Sequence, residues 1–147
     1  MAANDSSPDQ PREPRPGPET STRRPRELSQ REFELDFMGR LLERDPFHPQ
    51  ALRVQANHLA ANGHYAKALQ LDRRLVRLQP DRPIPWYNLA CSYAMLGMLD
   101  PALSALQRAI ELGYRPLRQI LRDPDLKTVR LDPRFARLLR RAAQNET

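Results

Sequence analysis

Hydrophobic and polar positions along the chain follow a helical rhythm from Ser29 onward. Phe33, Phe37 and Leu41, with Met38 and Leu42 beside them, fall on one stripe of a helix. Ser29 and Glu32 have the spacing of a capping box, so the helix is predicted to start there. It should stop before Asp45-Pro46, because the residue ahead of a proline is pushed out of the helical region. From Pro49 the pattern repeats with a period of 34, pairing Pro49 with Pro83, Ala56 with Ala90, Gly63 with Gly97, Ala68 with Ala102 and Leu69 with Leu103. Arg74/Arg108 and Leu78/Leu112 continue the series, and Pro46 and Pro80 share the same offset. Each unit reads as helix, glycine-containing turn, helix, with tight turns near Gly63 and Gly97.

This pattern resembles the tetratricopeptide repeat (TPR), over about residues 30–122. Trp86, Leu89, Ala90, Tyr93, Gly97 and Ala102 match it in one unit; Leu52, Ala56, Leu59, Gly63, Ala68 and Pro80 match it in the other. The alanines suit the closest crossing of paired helices, and the aromatic and leucine positions fill the space between neighbours. The sequence departs from the pattern at Asp72, where an aromatic is preferred, and at Tyr114, where proline is preferred. Glu34 occupies the close-packing alanine site of the first helix, so that helix should pack loosely or be turned.

The resemblance implies an all-α, TPR-type α-solenoid of helix-turn-helix repeats of 34 residues, with a divergent C-terminal helical cap. Residues 29–48 form a half-repeat helix, 49–82 and 83–115 the two repeats, and 116–147 the cap, making one TPR domain over 29–147. In the cap, Pro116–Arg122 suits a short helix stopped by Pro124. Asp123-Pro124 and Asp132-Pro133 each place an N-cap acid before an N1 proline. They predict helices at about 124–130 and 133–143, the last with Phe135, Leu138 and Leu139 inward and its arginines outward. Residues 1–28, with Pro8, Pro11, Pro14, Pro16, Pro18 and Pro25 among polar residues, are expected to be a disordered Pro-rich tail.

Charge adds one asymmetry. The net charge is +6, and residues 115–147 carry nine basic against four acidic residues. A basic C-terminal segment opens an alternative function, electrostatic binding of nucleic acid, although there is no basic-plus-aromatic stacking surface. The longest apolar run, near Leu89–Leu99, is too short to span a bilayer, and MAANDSSPDQPREP lacks the apolar stretch of a signal peptide. A single cysteine, Cys91, precludes an internal disulfide and suits a reducing, cytoplasmic setting. No phosphate loop and no cysteine or histidine pair with metal spacing is present, so no enzyme, cofactor or metal is expected. His48 reads as a loop residue, and His58 and His64 as structural or surface residues.

In TPR folds the first helices of successive units line a concave groove. Here that face carries Arg53, Asn57, Tyr87, Asn88, Cys91, Met95, Arg118 and Arg122 as the candidate peptide-binding residues. The series Arg53, Asn57, Asn88, Arg118, Arg122 has spacings of 4, 31, 30 and 4. It is similar to the two-carboxylate clamp of TPR co-chaperones, with arginine for lysine at two places. The resemblance implies a non-enzymatic adaptor that binds a peptide, in its most specific form an acidic C-terminal tail. A general peptide groove and a purely structural stack remain as alternatives.

Overall fold

The computed structural model describes residues 29–144; the tail expected over 1–28 lies outside them. Among the described residues the protein is all-helical: α1 Gln30–Arg44, α2 Pro49–Ala61, α3 Tyr65–Leu78, α4 Pro83–Met95, α5 Leu99–Glu111, α6 Leu117–Arg122 and α7 Pro133–Gln144. The helices stack in chain order, α1 on α2, α2 on α3, α3 on α4 and α4 on α5.

The 34-residue period is visible in the backbone. α2 and α4 start and stop at positions 34 apart, and both carry proline at the first helical position. The turns repeat bond for bond. His64 N–H donates to Leu59 O at 2.8 Å, and Met98 N–H donates to Tyr93 O at 2.9 Å. Each turn is closed by a glycine at positive φ, 79° at Gly63 and 74° at Gly97, a conformation that side chains with a Cβ adopt reluctantly. Ala56, Ala68, Ala90 and Ala102 are at most 2% exposed, which lets the paired helices approach closely. Replacing Ala90 with leucine is expected to destabilise the fold by about 2 kcal/mol through overpacking. An unchanged denaturation midpoint would show that this crossing is not the closest one.

The capping box at Ser29 is present. Glu32 N–H donates to Ser29 Oγ at 3.2 Å, and Ser29 N–H donates to Glu32 Oε2 at 2.9 Å. The stripe expected on α1 forms only in part. Met38 is buried, but Phe33 is 60% and Phe37 52% exposed, the two rings stacked on each other 6.4 Å apart. No earlier helix covers them among the described residues. Glu34 sits exposed where an alanine would allow close approach, and Gln55 instead reaches across to Leu35 O at 2.7 Å. His48 is more than a loop residue: its Nδ1 caps α2 by accepting from Ala51 N–H at 3.2 Å.

The cap differs from the expected helix at 124–130. That segment forms two 3₁₀ turns, Pro124–Leu126 and Val129–Leu131. Asp123 does cap the first turn, accepting from Asp125 N–H at 3.0 Å, but too few residues lie before the next Asp-Pro for an α-helix to propagate. α7 begins at Pro133 as expected. Ile120, Leu126, Val129 and Phe135 join the core of α4 and α5, with Leu138 and Leu139 packed against it. Arg134 bridges outward to Asp100 and Asp132, both at 2.8 Å.

Candidate functional site

α2 and α4 present their inner faces side by side, and α6 with the first 3₁₀ turn closes one end. Between them lies a groove of about 490 Å³, lined by Asn57, Ala60 and Ala61 of α2, Tyr87, Asn88, Cys91 and Ser92 of α4, and Gln119, Asp123 and Asp125. Asp72 of α3 reaches its floor. Four of the eight expected residues therefore meet in one place: Asn57, Tyr87, Asn88 and Cys91. Neither asparagine amide has a hydrogen-bond partner among the described residues, so both are available to a ligand.

The other four stand elsewhere. Arg53 lines a neighbouring hollow of about 200 Å³ with Gln79, Arg82, Ile84 and Asn88. Met95 is 40% exposed at the end of α4, away from the groove lining. Arg118 and Arg122 are exposed on α6; Arg122 borders a shallow depression with Gln119, Asp123 and Pro124 rather than the main groove. The reason is the length of α6. It begins 34 residues after α4 and buries Ile120, as the repeat demands. It then stops at Arg122, because Asp123 precedes a proline and is extended. The chain turns inward at that point, bringing carboxylates to the groove and leaving the arginines outside.

The acidic end is well ordered. Tyr87 O–H donates to Asp123 Oδ2, and the Tyr87 ring stacks on Tyr114 with centroids 4.3 Å apart. Cys91 Sγ lies 3.8 Å from the same carboxylate oxygen. Burial, then the bond to Asp123, pushes the Tyr87 hydroxyl well above its ordinary range; burial and the Asp123 carboxylate do the same to the Cys91 thiol. Cys91 is thus held protonated and unreactive, since thiolate chemistry needs a nearby cation. Asp125 is also raised, first by burial and then by Asp123. Beneath them Ser92 Oγ donates to Asp72 Oδ2 at 2.7 Å. Asp72 is only 4% exposed, and burial, partly offset by the Ser92 bond, pushes its carboxyl up to about 6.

Cys91, Asp123 and Asp125 bring a sulfur and two carboxylates within 4.8 Å of one another. Asp123 already accepts from Tyr87 and from the Asp125 amide, so the group reads as a hydrogen-bonded corner. Sequence reasoning flagged Asp123 as a helix cap and Asp72 as a departure from the repeat. It missed that both face the groove. The Asp-Pro-Asp run directly after a short helix was the available signal.

No family model matches the chain. A stretch of 82 residues, 54% of this chain, is 35% identical to a chloroplastic protein of Arabidopsis thaliana and covers 24% of that protein. Distant relatedness extends to the "Cell division cycle protein 16 homolog" of Homo sapiens. That match is 33% identical over 57 residues, 39% of this chain and 9% of the relative. The mouse counterpart matches equally. The chain thus spans a quarter or less of the length of these relatives. None of the described helices is long and apolar enough to cross a membrane.

Proposed function

We propose that the chain is a non-enzymatic protein-interaction module, an adaptor that holds an extended peptide in the groove between α2, α4 and α6. The observation that carries this reading is the pair of open amides, Asn57 and Asn88, on the adjoining faces of α2 and α4 that line a groove of about 490 Å³. Such amides offer both donor and acceptor to a peptide main chain, and a stack of repeats presents this kind of concave surface. The relatedness to two larger proteins is compatible with a portable binding unit within longer chains. A reducing compartment such as the cytoplasm suits the single protonated thiol.

The more specific reading, capture of an acidic C-terminal tail, would rest on Arg53 and not on a ring of arginines, because Arg118 and Arg122 stand outside the groove. Nucleic-acid binding is the second reading, supported by the outward Arg137, Arg140 and Arg141 of α7. The test compares wild type with Asn57→Ala/Asn88→Ala in selection from a displayed random octapeptide library. Losing two neutral hydrogen bonds should weaken the retained peptides by roughly tenfold or more. Equal retention by both proteins would sink the groove. Steep salt dependence of binding to a DNA duplex, unaffected by the asparagine changes, would favour the second reading.

A further inference from the structure

The concave face is electrically two-ended. Asn88 lines both the main groove and the adjoining hollow, so the two form one surface along α2 and α4. At the end near the start of these helices stand Arg53 and Arg82. Farther along α4, beside Tyr87 and Cys91, stand Asp123 and Asp125, with Asp72 on the floor between α3 and α4. Among the described residues neither arginine has a carboxylate partner, and no cation pairs with these carboxylates. The poles do not neutralise each other within the fold. Charges gathered at one pole oppose each other until a counter-charge arrives.

We propose that this surface selects a peptide carrying an anionic group and a cationic side chain about three residues apart, the anion at Arg53 and Arg82 and the cation at Asp123 and Asp125. This rests on the groove reading above and names the ligand chemistry of that site. The length follows from helix geometry. Along α4, from Arg82 to Leu89, midway between the Tyr87 and Cys91 side chains that meet Asp123, is seven residues, a rise of about 10 Å at 1.5 Å each. An extended peptide covers that distance in about three residues. The anion meets guanidinium forks, which bind carboxylates through paired donors. The cation, a lysine or arginine side chain, meets two carboxylates beside the stacked Tyr87 and Tyr114 rings. Asn57 and Asn88 lie between the poles, where the intervening main chain would pass.

The experiment is the same octapeptide library, displayed with free C-termini and sequenced after selection on the full chain. The expected result is enrichment of Asp, Glu or a terminal carboxylate together with Lys or Arg about three residues away. Against the best synthetic peptide from that selection, Asp125→Asn should lower affinity roughly tenfold and lose the preference for the basic residue only. Arg53→Gln/Arg82→Gln should lose the preference for the acidic group only. Each variant is to be checked for an unchanged melting temperature, and Asp125 is chosen because its side chain makes no hydrogen bond that folding needs. Peptides that are retained through Asn57 and Asn88 but show no paired charges would overturn the two-pole inference and leave the groove standing. Failure to enrich any peptide would overturn both.

Discussion

A chain ending at Asp123 is expected to lose cooperative unfolding and to aggregate. The lost segment supplies Leu126, Val129, Phe135 and Ala142, all buried against α4, α5 and Ile120. Burying a side chain of the size of leucine, valine or phenylalanine contributes about 1.5–3 kcal/mol, so the three larger ones together contribute about 6 kcal/mol. Domains have only about 5–15 kcal/mol of net stability. The truncation also removes Arg130, whose guanidinium donates to Ile120 O at 3.3 Å and so ties down the end of α6. What remains is the apolar side of α5 facing water, the condition that terminal capping elements of repeat proteins prevent. Circular dichroism melts and light scattering on the truncated chain check this. A soluble, sharply melting product would show that α6 closes the stack unaided.

The second large effect is expected at Asp72. Its carboxyl is pushed from 3.8 to about 6 because burial disfavours the charge. The folded protein therefore holds this proton more tightly than the unfolded chain. Stability contributed by the protonated acid is fully present below about pH 4 and is lost as pH rises toward 6. At 1.36 kcal/mol per unit, the loss by neutral pH is up to about 3 kcal/mol. Asp72→Asn keeps an oxygen that can accept from Ser92 and removes the buried charge. The variant should be more stable than wild type at pH 7 by up to that amount and nearly equal to it at pH 4. Denaturant titrations at the two pH values decide the matter. A variant less stable at pH 7 would mean that the ionised carboxylate is well solvated from the groove.

The parts of the fold that could be read from the sequence are those set by short-range rules. Pro49 and Pro83 start helices because proline is pre-organised for the first turn, and Gly63 and Gly97 end them because the turn needs positive φ. The alanine pairs marked the crossings because only a small residue fits there. The groove was legible to the same depth. Asn57, Tyr87, Asn88 and Cys91 sit on regular helices, where spacing fixes direction. Arg118 and Arg122 sit on a helix of six residues followed by an Asp-Pro step, and there spacing no longer fixes direction. Residues one apart on a helix differ by 100° in heading, so Gln119 reaches the groove while Arg118 does not, and Asp123 reaches it because the chain leaves the helix there. Asp72 was legible as an exception to the repeat. Its partner Ser92, on another helix, was not, because that contact depends on how α3 meets α4.

α1 gives the stack a direction. Among the described residues it rests principally on α2, with Met38 as its buried side chain and a cross-helix bond from Gln55, while the opposite end is sealed by α7. In a one-dimensional array each unit is held by its neighbours, so the unit with one neighbour opens first. Amide exchange should therefore behave like a zipper with its slider at Gln30: fast in α1, slower in α2 and α3, slowest in α4 and α5. The α4 wall of the groove lies on the protected side of that gradient, and its α2 wall nearer the fraying end. α1 can fray and re-form without disturbing Asn88 or Tyr87 on α4, whereas Asn57 on α2 feels the loss of its neighbour.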